Sequence, residues 1–137
     1  MDYCNSLFYG LPNYQLRKLQ LLQNMAARFL SGARKFDHIS PILVKLHWLP
    51  ISYHVVFKLL LLVFKALNGL GPRYLVELFQ YQNHSRKLRP NFQELLLQQK
   101  SNKTYGDRAF STCAPRLWNN IPLDIRKSNS VSTFKKN

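Results

Sequence analysis

Acidic residues are scarce in this chain. Six Asp and Glu stand against 20 Lys and Arg in 137 residues, a net charge of +14 with the four His neutral. The acids, Asp2, Asp37, Glu77, Glu94, Asp107 and Asp124, never fall within four residues of one another. No local pair therefore offers general acid–base chemistry or a two-metal site. Cysteine is also rare: Cys4 and Cys113 have neither CxxC spacing nor a neighbouring His. That argues against a disulfide framework and a zinc motif, and for reduced thiols in an intracellular protein, cytoplasmic or nuclear. A Cys113–His nucleophile pair stays open, since such partners meet only in space, beside the commoner role of a lone Cys as a small buried apolar residue. His38, His47, His54 and His84 form no HExxH, and neither a glycine-rich phosphate loop nor GxSxG is present. The N-terminus "MDYCNSLFYGLP" lacks the charged start and apolar run of a signal peptide. The longest apolar run, Leu59–Phe64 between Lys58 and Lys65, is far below the ~20 residues of a membrane span. No membrane partner is expected from it.

What is present is globular in composition, at 46% hydrophobic and 13% aromatic residues. The length suits one domain or part of one. The positive excess attracts polyanions, either nucleic acid or an anionic membrane surface. Tyr14 to Leu30 reads as an amphipathic helix, with Leu16, Leu19, Leu22, Ala26, Phe29 and Leu30 at three- and four-residue spacing. Gly32 follows where a helix commonly ends in a left-handed residue. Arg17, Asn24 and Arg28 share another face, which either tracks a phosphate backbone or is simply solvated.

Ser40 and Pro41 predict a short helix over 41–47, with Ser40 as cap and Pro50 as stop. A helix over 52–68 follows, apolar nearly all round except for His54, Lys58, Lys65 and Asn68, the pattern of a central core helix. Asn68-Gly69 stops it and Gly71-Pro72 restarts a helix over 72–79. From 80 to 103 the chain turns polar and basic, with a short amphipathic insert at "FQELLLQ". A closure over 104–137 holds "KTYGDRAF", one strand of a small hairpin, then a short helix at "APRLWNN" and the start of another at "SVSTFKK". The expected fold is predominantly α, a small helical bundle with at most one short β-hairpin in its C-terminal third. It divides into a helical unit 1–79, a linker 80–103 and a closure 104–137. In "YGDRAFSTCAPRLWNNIPLDIR", Phe110, Leu117, Trp118 and Ile121 supply apolar mass at helical spacing. Asp107 and Arg108 fix a turn after Gly106, by ion pairing if they meet. Pro122 ends the helix and Asp124 caps the next segment, so packing is the expected task of this stretch, ahead of catalysis.

Four blocks carry a resemblance: "DYCNSLFYGLP", "LQLLQNMAARFLSG", "FDHISPILVKLHWLPISYHVVFKLLLLVFKALNGLGPRYL" and "YGDRAFSTCAPRLWNNIPLDIRKSNSVSTFK". In this order they resemble the C-terminal part of the reverse-transcriptase polyprotein of non-LTR (LINE-type, jockey-like) retrotransposons, over nearly the whole chain. The resemblance implies a thumb-like unit and the segment after it, in a truncated piece of an RNA-directed DNA polymerase. The aromatic-Ala-Asp-Asp turn of the polymerase and the endonuclease are absent, so no catalytic residue carries over. No enzyme activity of the isolated chain, no cofactor and no metal are expected.

The implied task is gripping RNA or RNA–DNA duplex through phosphates, which sets register and not sequence. The candidates are Arg17, Arg28, Arg34 and Lys35 in the first helical unit. Arg86, Lys87 and Arg89 form a second patch, and Arg108 and Arg116 a third. Each has a solvated charge as its alternative. Two other classes remain: a docking module whose apolar helix 51–68 meets a partner or the parent's missing palm, and a relic reading frame without selected function.

Overall fold

The computed structural model describes residues 5–82, 94–101, 103 and 105–136. Among them the chain is predominantly α-helical, with seven α-helices and no strand longer than one bridge. It forms two compact units, Met1–Phe57 and Lys58–Asn137.

The first unit holds α1 (Asn13–Ser31), α2 (Ile39–Lys45) and the first two turns of α3 (Ile51–Leu67). α1 and α3 lie within one residue of their predicted bounds because their ends are written in local chemistry. After α1, Gly32 takes φ 66° and Ala33 N–H bonds Arg28 O at 3.1 Å. After α3, Gly69 takes φ 69° and Leu70 N–H bonds Lys65 O at 2.8 Å. Both are left-handed caps that satisfy the last carbonyls. α2 ends in the same way without glycine: His47 sits at φ 54°, its N–H bonds Val44 O at 3.0 Å, and Trp48 N–H bonds Leu43 O at 2.8 Å. α2 also starts earlier than predicted. His38 is its cap, and Ser40 and Pro41 lie inside the first turn, where the missing proline N–H would have had no helical partner.

The largest departure is the orientation of α1. Its buried residues are Gln23 and Ala27, while Leu22 (52% exposed), Phe29 (87%) and Leu30 (62%) face water. Polar bonding explains the rotation. Gln23 Nε2 donates to Leu49 O at 2.9 Å, and Ile51 N–H donates to Gln20 Oε1 at 2.8 Å. Gln20 Nε2 in turn donates to Gln23 Oε1 at 2.9 Å and to Asn24 Oδ1 at 2.8 Å. Gln20 thus caps the N-terminus of α3 from another helix. Turning the apolar stripe inward would leave an orphan donor of that terminus unpaired, a cost of about 1–3 kcal/mol where buried.

The second unit is built on the rest of α3, then α4 (Arg73–Val76), α5 (Phe110–Asn119), α6 (Leu123–Arg126) and α7 (Val131–Lys136). α4 is shorter than the predicted 72–79. Phe134 of α7 stacks on Phe64 with centroids 4.5 Å apart and on Trp118 at 6.2 Å. All three rings are nearly fully buried. Ser130 caps α7, accepting from Thr133 N–H at 3.1 Å. α5 begins at Phe110, four residues before "APRLWNN", so Pro115 lies inside it and is buried. The proline removes one helix bond, and the apolar surroundings of Cys113, Ala114 and Trp118 hold the helix.

The predicted strand at "KTYGDRAF" is instead a 3-10 turn over Gly106–Arg108. There the backbone runs so close to Ser101 that a Cβ on Gly106 would collide with its hydroxyl. Extended pairing occurs elsewhere, as a single antiparallel bridge between Tyr81 and Leu96. Gln82 N–H bonds Leu95 O and Leu97 N–H bonds Gln80 O, each at 2.8 Å. On the other edge, the Asn119 amide imitates a strand: it accepts from Leu96 N–H and donates to Leu96 O, both at 2.9 Å. Trp118 Nε1 donates to Glu94 O at 3.3 Å. Leu96, read as part of a linker, is 1% exposed and belongs to the core of this unit.

Candidate nucleic-acid interface

Between Asp2 and Asp37 the chain carries no acid, while Arg17, Lys18, Arg28, Arg34 and Lys35 all fall in that stretch. α1 and the turn after it place these cations in the first unit. Arg17 is exposed. Arg28 lies eleven residues on, about 20° round the helix and roughly 16 Å along it.

Arg28 is half-buried, and its Nη2 donates to Asp37 O at 3.2 Å. Its Nε is buried without a hydrogen-bond partner. It therefore ties the loop to the helix end as much as it offers charge to solvent. Its position in the last turn of α1 also suits the negative end of the helix dipole.

The loop itself is a tight turn. Arg34 N–H donates to Asp37 Oδ2 at 2.6 Å, and Asp37 N–H donates to Arg34 O at 3.2 Å. The lone carboxylate of the described part of this unit is thus bonded to backbone. Arg34 and Lys35 are exposed, and Lys35 Nζ lies 6.0 Å from the ring centre of Phe36, itself 91% exposed. Through Asp37, the structure brings Arg28, Arg34 and Lys35 together at the C-terminal end of α1, with Arg17 nearer its start. Lys18 was not singled out by sequence reasoning, although it is exposed beside Arg17.

In the second unit, Arg108 is half-buried over the ring of Tyr105 at 5.6 Å, and Tyr105 is 83% exposed. The cation–π contact stands where ion pairing with Asp107 was expected. Arg116 is exposed in the last turn of α5. Arg86, Lys87 and Arg89 lie outside the described residues.

Burial pushes the Cys113 thiol up, against smaller downward pulls from the Arg116 charge and a backbone hydrogen bond. That disfavours the thiolate a nucleophile needs. Among the described residues, no three His, Cys, Asp or Glu side chains group to hold a metal ion. No helix among them is long and apolar enough to cross a membrane.

The docking face foreseen on α3 is largely taken up within the chain: Ile51, Val55, Leu59, Leu61, Val63, Phe64 and Ala66 are buried. Among single elements, α1 leaves a large group of apolar side chains to solvent, through Tyr14, Leu21, Leu22, Met25, Phe29 and Leu30. Comparison with protein-family models, with curated proteins and with solved structures gives no match to this chain.

Proposed function

We propose that the chain is a thumb-side piece of a non-LTR retroelement reverse transcriptase, and that it holds RNA or RNA–DNA duplex by the phosphates without catalysing on its own. The observation that carries this reading is the acid-free stretch from α1 through the following turn. It offers Arg17, Arg34 and Lys35 to solvent with Arg28 beside them. Cations fixed on a helix and a bonded turn meet phosphates, which are the same at every nucleotide, so such binding carries no sequence information. A +14 charge, which repels copies of the chain from one another, favours a polyanion as partner. The parent's palm, which would bear the metal-binding acids, has no counterpart among the four resembling blocks.

Fluorescence anisotropy with several unrelated RNAs and one RNA–DNA duplex, at fixed salt, tests the reading. Affinities within a few-fold of one another are expected. One sequence bound more than ~10-fold tighter than the rest would require base contacts and overturn it. Primer extension with Mg²⁺ or Mn²⁺ should stay at the level of a mock preparation.

A further inference from the structure

Tyr14 (62% exposed), Leu21 (54%), Leu22 (52%), Met25 (66%) and Phe29 (87%) all face outward on α1. With Lys18 they fall within an arc of about 100°, along roughly 22 Å of helix. An arc of that width is the face a helix ordinarily turns to a core. Here the inward face is held by Gln20 and Gln23 through bonds to Ile51 N–H and Leu49 O, so α1 cannot roll over without breaking them. Two aromatics of roughly 150–250 Å² each, mostly exposed, together with three aliphatics bring the patch to the several hundred Å² that mark an interaction site.

We propose that this face of α1 docks an amphipathic helix of a partner protein that carries carboxylates within and beside its own apolar stripe. Charge selects the occupant. Lys18 stands in the middle of the arc, Arg17 and Arg28 line one edge, and no acid occurs between Asp2 and Asp37 to answer them. A second copy of the chain would bring the same cations to the same face, with +14 on each partner. Nucleic acid leaves Leu21, Leu22 and Met25 without anything to pack on. A lipid surface would submerge Lys18 at the deepest point of the stripe, where a protein helix can set a carboxylate opposite it. The stripe shares Arg17 and Arg28 with the phosphate-binding reading, but that reading needs none of the apolar residues, so replacing those residues separates the two.

The probe is a 21-residue fluorescein-labelled peptide with Leu at heptad a and d positions and Glu around them, titrated with the full chain. A Lys-for-Glu twin and a scrambled peptide serve as controls. Micromolar binding of the Glu peptide is expected, with the Lys twin at least ~10-fold weaker. Met25→Ser with Phe29→Ser should weaken the Glu peptide at least ~10-fold, the scale of anchor residues in helix-in-groove contacts. Both positions are exposed, so circular dichroism should show the helices intact, and RNA affinity should stay unchanged. Lys18→Glu gives a second, independent variant and should cost the Glu peptide at least ~10-fold. Failure of the Glu peptide to bind, or equal binding of the Lys twin, overturns the proposal. So does a dimer in sedimentation, or capture by phosphatidylserine vesicles, that the double Ser variant abolishes while the peptide stays unbound.

Discussion

Replacing Phe134 by Ala should unfold the second unit at much lower denaturant. The ring is 4% exposed and stacks on Phe64 at 4.5 Å and on Trp118 at 6.2 Å. Removing a buried Phe costs about 3–5 kcal/mol, through lost transfer energy and the cavity left behind. Each aromatic pair accounts for roughly 0.5–1.5 kcal/mol beyond area burial. With a urea slope of about 1–3 kcal/mol per molar, the midpoint should fall by about 2 M. Trp118 emission reports the transition, in a Trp48→Phe background that leaves it the only indole. Phe134→Leu keeps most of the volume and loses the ring contacts, so about 1–2 kcal/mol is expected. A midpoint shift below ~0.5 M for the Ala variant would refute the packing of α7 on Phe64 and Trp118.

His47→Gly should stabilise the first unit by about 0.5–1 kcal/mol, because φ 54° penalises an L residue by more than glycine loses in entropy. His47→Val should destabilise it, and thermal melts decide both. Cys113, 1% exposed with its thiol pushed up by burial, should react with iodoacetamide far more slowly in the folded chain than in urea. The folded chain keeps the thiol proton into more alkaline solution than the unfolded chain does. Stability contributed by Cys113 is therefore whole at neutral pH and falls as pH rises above the ordinary thiol range. Rapid labelling at neutral pH, or stability rising through that range, contradicts the buried thiol.

The parts of the fold legible in the sequence are those written in neighbouring residues. Gly32 and Asn68-Gly69 mark the ends of α1 and α3 because a left-handed cap suits Gly. His47 ends α2 by the same hydrogen bonds, and nothing local announces it. The helix read at "APRLWNN" starts earlier, at Phe110, with Cys113 and Ala114 buried along it.

Long-range bonds were the hidden part. Gln20 and Gln23 reach residues 31 and 26 positions away, and they turn α1 part of the way round from the face that the leucine spacing implied, leaving Leu16 and Leu19 half-buried. Asn119 reaches Leu96 across 23 residues and draws it from an apparent linker into the core. At the basic surface, Arg17 follows from helical spacing alone. The bond from Arg28 to Asp37 O depends on how the chain turns after Gly32. Lys18 is hidden in the sequence because it falls between the face of Arg17, Asn24 and Arg28 and the leucine stripe.

The central claim is that exposed cations of α1 and its following turn hold phosphates. If the four candidates of the first unit all make contacts, about four phosphates are neutralised. Affinity for duplex should then fall roughly 150-fold between 50 and 200 mM salt. Arg17, Arg34 and Lys35 are exposed, so replacing all three by Gln should leave the thermal midpoint nearly unchanged. It should also cut the salt effect to about 3-fold, the value for one remaining contact. Anisotropy with one RNA–DNA duplex, across a salt series, for the parent chain and this triple variant, is the direct measurement. A shallower slope with the fold intact is the result expected; a slope identical to that of the parent chain would contradict the account.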